Sequence, residues 1–213
     1  NNYFQLIQKV LSFKKPTIIS TGFLNFNEIK RLVKFIKKNK FPLNKLTLLH
    51  CVSDYPVKDH EANLISIKFL KDNLNVKIGY SDHTLGITAS VIATIYGANV
   101  IEKHFTLNKK YSSFRDHSLS ANPEEMKDLV TSIKRIRLLK GKYQKKISLS
   151  EKKNLNSSRR SIYSSRDIFK NEKIDYSNIK VLRPGNGLEP NRIEKIKGKK
   201  IKKNIKKGNL IKF

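Results

Sequence analysis

The sequence has no tryptophan, one methionine and one cysteine among 213 residues. A single thiol excludes an internal disulfide framework and a multi-cysteine zinc site; Cys51, set in an apolar strand without a partner, suits a reducing cytoplasm. No apolar run reaches the length a membrane-spanning helix needs, and the start shows no signal-peptide pattern. Position 1 is not methionine, and Tyr3, Leu6, Ile7, Val10 and Leu11 hold an apolar helical spacing from the outset. The chain is therefore expected to be a piece of a longer protein, entered in mid-helix. Acidic residues are scarce: 17 against 45 lysines and arginines, a formal charge of +28. Such a surplus invites nucleic acid. The lysines are spread along the chain, however, and asparagine and isoleucine are over-used with them, which is the mark of an AT-rich coding sequence. No recognition helix, RNA-binding strand motif or zinc-finger spacing accompanies them. A solvated basic surface, without a nucleic-acid partner, is the expectation.

Against these absences stands a repeated pattern. Pro16-Thr17-Ile18-Ile19-Ser20-Thr21-Gly22 reads as a buried strand running into a glycine turn. A helix follows over 25–39, capped by Asn25 or Asn27, with Ile29, Leu32, Val33 and Ile36 on one face and lysines on the other. Leu46-Thr47-Leu48-Leu49-His50-Cys51-Val52 is apolar on both faces, as strands of a parallel sheet are. A helix over 62–74 turns Leu64, Ile67, Phe69 and Leu70 inward. Two further strands end at Ser81-Asp82-His83 and at His104-Phe105-Thr106, separated by one helix length that Gly97 stops. A last helix runs from Asn122 or Pro123 to Leu139, with Glu124 and Glu125 at its positive end and Gly141 after it. Four strand–helix units in succession give an α/β fold, either an open doubly wound sheet or a (β/α)8 barrel. In both, function lies at the carboxyl ends of the strands. Those ends carry hydroxyls, carboxylates and imidazoles where the strand bodies are apolar, which points to catalysis.

His83 and His104 close two strands joined by a right-handed crossover, so they emerge side by side at one sheet edge. Two neutral imidazoles with Asp82, Glu102 and Asp116 nearby are raw material for a divalent-metal site. The alternative is two unrelated histidines, one of them hydrogen-bonded in the core. His50 reads as a core residue and His60 as a surface helix start, while His117 beside Asp116 is ambiguous.

The pattern breaks after residue 141. Residues 142–158 are rich in Lys, Ser, Asn and Gln and read as a solvated linker. Residues 159–213 have a different texture: short strands at Ser161-Ile162-Tyr163-Ser164 and over 179–182, a loop Arg183-Pro184-Gly185-Asn186-Gly187, a helical turn or two over 189–196, and two similar turns, Asp167-Ile168-Phe169-Lys170-Asn171-Glu172 and Asn204-Ile205-Lys206-Lys207-Gly208-Asn209. A β-rich domain of this size has little core of its own and is expected to pack on a partner surface.

Tyr80-Ser81-Asp82-His83-Thr84-Leu85-Gly86 and Val100-Ile101-Glu102-Lys103-His104-Phe105-Thr106 closely resemble the N-acetylneuraminate (sialic acid) synthase family. So do Leu49-His50-Cys51-Val52-Ser53-Asp54-Tyr55-Pro56 and Lys15-Pro16-Thr17-Ile18-Ile19-Ser20-Thr21-Gly22. Arg159-Arg160-Ser161-Ile162-Tyr163 and Val181-Leu182-Arg183-Pro184-Gly185-Asn186-Gly187 are similar to that family's C-terminal antifreeze-like (SAF) domain. The resemblance implies the second half of a (β/α)8 TIM barrel over 1–141, the linker over 142–158 and the SAF domain over 159–213, in a domain-swapped homodimer. It implies condensation of phosphoenolpyruvate with N-acetylmannosamine or a related amino sugar, with release of phosphate, under a divalent metal, usually Mn²⁺, with Mg²⁺ and Co²⁺ as alternatives. His83 and His104 match the metal ligands, Glu102 and Asp116 the acidic site residues, and Ser53, Tyr55 and Ser81 substrate contacts. Arg183 matches an arginine that reaches into the partner's barrel. Without the resemblance, Arg183 would read as an ordinary turn residue beside Pro184 and Tyr55 as a packing side chain.

That chemistry wants these residue types. A Lewis acid polarises the open-chain aldehyde so that C3 of phosphoenolpyruvate can attack it, and a planar guanidinium holds sugar oxygens in a way an ammonium does not. Two departures stand out. Ser53 occupies a position where many members have asparagine, and the first half of the barrel lies outside the sequence. A legionaminate, pseudaminate or polysaccharide synthase of the same chemistry, or a non-catalytic carbohydrate-binding remnant, are the competing readings.

Overall fold

Four parallel strands lie side by side in chain order: β1 (Thr17–Ser20), β2 (Leu46–His50), β3 (Lys77–Asp82) and β4 (Ile101–Lys103). A doubly wound sheet reverses its strand order at a switch point. This one winds in a single direction, as half a barrel does. The computed structural model describes residues 1–112 and 115–212, with Arg115 described by its backbone alone. The chain divides into two units, Asn1–Lys142 and Tyr143–Phe213.

Among the described residues of the first unit, the helices that accompany the sheet are α1 (Phe4–Ser12), α2 (Phe26–Lys38), α3 (Ile65–Asn73), α4 (Thr88–Ile95), α5 (Arg115–Leu119) and α6 (Pro123–Lys140). α2 follows its sequence closely. Asn25 caps it in a reciprocal capping box with Glu28, and Ile29, Leu32, Val33 and Ile36 are all buried. Asn122 and Glu125 form the same device at the head of α6, with Pro123 in the first turn. The core gathers Leu32, Ile36, Leu46, Leu48, Ile67, Ile78 and Tyr80 between helices and sheet. No described helix is long and apolar enough to cross a membrane.

Several expectations are corrected. The first helix begins at Phe4 with Tyr3 at its N-cap, so residue 1 does not lie in mid-helix, and of its apolar spacing only Ile7 and Leu11 are buried. Ile18 in β1 and Phe69 in α3 are exposed rather than internal. Phe69 instead meets Phe26 edge-on. α3 starts three residues late, after a 3₁₀ turn at Asp59–Glu61 and a left-handed Asn63 (φ +43°) that the helix cannot include, and α5 was not anticipated.

In the second unit, residues 149–158 are not plain coil but two short exposed helices, α7 (Leu149–Lys153) and α8 (Leu155–Ser158), the first held by a Ser148–Glu151 capping box. β5 (Ser161–Ser164) and β6 (Ile179–Leu182) pair antiparallel, and α9 (Ile193–Ile196) follows. The core is almost entirely isoleucine: 162, 168, 174, 179, 196, 201 and 211. The two look-alike turns meet each other. Ile168 and Ile205 exchange backbone hydrogen bonds of 2.8 Å. The Lys207 amide donates to Asp167 Oδ1 at 2.7 Å, and the Lys170 amide donates to Asn204 Oδ1 at 2.8 Å. Each turn thus caps the other with its first side chain, a local twofold relation that explains why the motif occurs twice.

Candidate active site

Successive strand residues point to opposite faces, and this alternation sorts the strand ends into two sets. Ser81 of β3 and His83 just past it meet Glu102 of β4 and His104 just past that strand, where Ser81 and Glu102 are register partners. Ser81 donates its hydroxyl proton to Glu102 Oε1 at 2.6 Å and lies 3.3 Å from His83 Nε2. His83 Nδ1 lies 2.9 Å from the Val52 carbonyl, which only an N–H can satisfy. In the neutral ring Nε2 then carries the lone pair, and Ser81, whose proton goes to Glu102, donates nothing to it. The ring centroids of His83 and His104 are 5.5 Å apart, edge to face, and Tyr55 packs 4.2 Å from the first and 5.8 Å from the second.

Tyr55, Ser81, His83 and Glu102, with His104 behind them against His83 and Tyr55, line a cleft of about 220 Å³ together with Ser53. Gly22 belongs to its wall for a steric reason. A Cβ there would lie 2.2 Å from Ser53 Oγ and 3.0 Å from Cys51 Sγ, so any side chain would displace both. Burial first, then the nearby Cys51, Asp116 and Glu102, push the Tyr55 hydroxyl above its ordinary range, so it stays protonated. Burial likewise raises the Cys51 thiol, which is therefore no nucleophile at neutral pH. Asp116, on α5, lies close enough to contribute to that field and is half-buried.

The model of the NeuB family matches residues 1–145, and that of the SAF domain matches residues 159–213. The chain belongs to the NeuB family. It is 42% identical over 205 residues to N,N′-diacetyllegionaminic acid synthase of Campylobacter jejuni, covering 96% of this chain and 61% of the relative. It is 39% identical over 212 residues to pseudaminic acid synthase of the same species, covering 99% and 60%. The chain thus spans about three fifths of the length of these curated relatives. Among solved structures, N-acetylneuraminic acid synthetase of Leptospira borgpetersenii, in complex with citrate, aligns with a TM-score of 0.65 at 36% identity, covering 71% of this chain and 52% of that one. Spore coat polysaccharide biosynthesis protein spsE of Bacillus subtilis aligns with a TM-score of 0.61 at 30% identity, covering 99% and 63%.

In this member of the NeuB family, Asp82 does not join the other carboxylates. It is fully buried on the opposite side of β3, accepting from the Thr84 amide and hydroxyl, each at 2.8 Å, and from Ser90 of α4 at 2.6 Å. Lys103, next to Glu102 and likewise turned away from the cleft, reaches Asp82 at 3.2 Å with both side chains buried. Sequence reasoning missed Lys103. The parity of the strand was the available signal, since Glu102 and His104 face the cleft and the residue between them cannot. His50 is a packing residue, its Nε2 3.0 Å from the Ala62 carbonyl, and burial lowers its pKa. His117 Nδ1 lies 2.9 Å from the Thr106 hydroxyl.

Among the described residues no three His, Cys, Asp or Glu side chains are grouped to hold a metal ion. What the unit does present is two adjacent imidazoles, one locked by its Nδ1 bond so that a lone pair faces the cleft. That donor set fits a divalent ion taking its remaining ligands from substrate oxygen and water.

Arg183 belongs to the second unit and is described there. It is exposed and follows β6 directly, at the head of a loop held from several sides. The Gly185 amide donates to the Asn156 carbonyl at 2.6 Å, the Tyr163 hydroxyl to the Pro184 carbonyl at 3.0 Å, and the Gly187 amide to Ser161 Oγ at 2.8 Å. A Cβ on Gly185 would lie 2.3 Å from Arg159 Cβ and 2.9 Å from its carbonyl carbon, so only glycine fits there.

Proposed function

We propose that the protein acts as a nonulosonate synthase, condensing phosphoenolpyruvate with N-acetylmannosamine or a related amino sugar and releasing phosphate. The observation that carries this reading is the juxtaposition of His83, His104, Ser81 and Glu102 at neighbouring strand ends in a chain of the NeuB family. The relatives' names favour a diacetamido sugar of the legionaminate or pseudaminate type. A chain of the relatives' length would supply further strands, closing the sheet into an eight-stranded barrel.

A divalent ion held by His83 and His104, Mn²⁺ by preference and Mg²⁺ or Co²⁺ as substitutes, would supply Lewis acidity to the aldehyde oxygen. The protein's own groups do the rest. The Val52 carbonyl fixes the His83 ring through its Nδ1–H, and Tyr55 packs against both imidazoles, keeping bulk water from them. C3 of phosphoenolpyruvate bonds to the aldehyde carbon, the aldehyde oxygen takes a proton, and water adds at C2. Breaking the C2–O bond then releases phosphate and leaves the 2-keto acid. Glu102, its carboxylate already accepting from Ser81, and Asp116 are the acid–base groups placed to manage these protons. Ser53 contacts substrate where a longer amide would otherwise stand. Arg183 grips sugar oxygens, and we assign that grip to the barrel of a second subunit in a domain-swapped homodimer.

The direct test is the full-length protein with phosphoenolpyruvate, metal and a series of N-acetylated hexosamines. Phosphate release coupled to a product with the summed mass of phosphoenolpyruvate, sugar and one water, less phosphoric acid, supports the reading; a folded, metal-loaded protein that forms no such product from any sugar refutes it. The swap has its own test. Arg183→Ala alone should lower kcat/KM for the sugar about 10- to 100-fold, the value of one charged hydrogen-bonding group, with phosphoenolpyruvate affinity little changed. Mixing Arg183→Ala with His83→Ala subunits should restore roughly a quarter of wild-type activity, because random pairing gives one intact site in half the dimers. Mixed dimers verified by mass that stay inactive would place the arginine in its own subunit's site.

A further inference from the structure

Phe23 sits at the cleft where the local backbone gives it no reason to be. The Leu24 amide donates to the Thr21 carbonyl at 3.1 Å, closing a four-residue turn with Gly22 and Phe23 at its centre. Phe23 has φ +61°, a left-handed conformation that turns of this kind reserve for glycine or asparagine and that a bulky residue adopts only under strain. The other described non-glycine residues at positive φ are Lys14 and Lys40, which come just after helices, and Asn63 and Asn171. Phe23 is also 90% exposed and makes no ring contact among the described residues, so packing within its unit does not offset the strain. Phe23 instead lines the same cleft as Tyr55, His83 and Glu102, at the border with a second cleft of about 230 Å³ that it shares with Phe26 and Phe69. Strain of this kind, held at a site and uncompensated by burial, is characteristic of positions kept for function.

We propose that Phe23 is a specificity-determining residue of the sugar site, its ring face lying against an apolar surface of the amino sugar: the N-acyl methyl group or the C–H face of the chain. This rests on the function proposed above. It also follows from the composition of the cleft, whose other described groups are mainly hydroxyls, imidazole and carboxylate, suited to polar substrate atoms. An aromatic face is the complement that an acylated sugar needs and that an unsubstituted one does not.

The experiment uses the full-length protein with Phe23→Gly and Phe23→Tyr, and reads thermal stability and steady-state kinetics together. Phe23→Gly is expected to raise Tm by about 2–4 °C, since glycine relieves the turn. It should lower kcat/KM for the N-acylated sugar by about 10-fold or more while KM for phosphoenolpyruvate stays within about twofold, the loss being that of one apolar contact. Phe23→Tyr, which keeps the ring, should recover sugar use at least about threefold over the glycine variant. A fall in Tm for Phe23→Gly would mean the ring packs on another part of the protein and would overturn the proposal. Unchanged sugar kinetics would overturn it equally. A wild-type protein that uses no amino sugar fails at the earlier step and removes the function itself, whereas the stability arm reads the turn independently of any substrate.

Discussion

Full-length His104→Ala is expected to lose at least about three orders of magnitude in turnover, with the fold intact. Several kcal/mol of Lewis-acid stabilisation correspond to such a factor. His104 is the cleaner of the two substitutions, because among the described residues its ring makes edge contacts with His83 and Tyr55 and no side-chain hydrogen bond. His83→Ala should lose as much activity and also about 1–3 kcal/mol of stability, since the Val52 carbonyl loses its donor. Mn²⁺ binding followed by electron paramagnetic resonance gives a readout independent of turnover. Each single variant should bind the ion at least about 10-fold more weakly, as removing a direct ligand exceeds the usual cost of removing its support. Near wild-type affinity and turnover in either alanine variant would show that the pair of imidazoles serves packing alone.

The second large effect is on stability. Asp82→Ala should destabilise the protein by about 3–5 kcal/mol, because it leaves the Lys103 ammonium buried without its counter-charge and orphans the Ser90 and Thr84 donors. Lys103→Met should cost less, as the Asp82 carboxylate keeps its other donors, and the double variant should recover part of the single Asp82→Ala loss. The pH dependence has a definite sign. Burial lowers the Lys103 pKa, and the attraction of Asp82 opposes that lowering. With Asp82 gone burial is opposed only by the weaker attraction of Glu125, so the folded pKa stays depressed and, between it and the ordinary unfolded one, the unfolded chain binds more protons. Stability of Asp82→Ala should therefore rise with pH across that window. Chemical denaturation at neutral and alkaline pH measures this, and a deficit that grows as pH rises would contradict the assignment.

How much was legible beforehand depended on whether a signal was local. The Asn caps of α2 and α6, the α2 apolar face and the two short strands β5 and β6 were readable, because each is settled within a few residues, whereas the pairing of β5 with β6 joins residues 15 or more apart and was not. The approach of His83 to His104 was readable from the crossover rule together with the position of each just past a strand. Asp82 was grouped with the wrong face because proximity in sequence was weighed above the two-residue period of the strand. Phe69 and Ile18 were placed inside on hydrophobicity alone, which does not force a residue inward when the unit offers it no covering partner. Phe23 carried no sequence signal, since positive φ for a phenylalanine is a property of the folded turn.

The loop after β6 has a thermodynamic consequence. Ordering a flexible residue costs about 1–2 kcal/mol of backbone entropy, and a free five-residue loop would incur that cost at the moment it met a ligand. Residues 183–187 incur it earlier. Their amides and carbonyls are already bonded to residues 156, 161 and 163, so folding of the small unit has removed most of the freedom before any encounter. In the proposed role Arg183 would then arrive as a stiff arm, with only its own side-chain rotamers left to be frozen. Affinity gained this way appears chiefly as slower departure rather than faster arrival, so loosening the loop at Tyr163 should shorten residence time and leave the rate of capture nearly untouched.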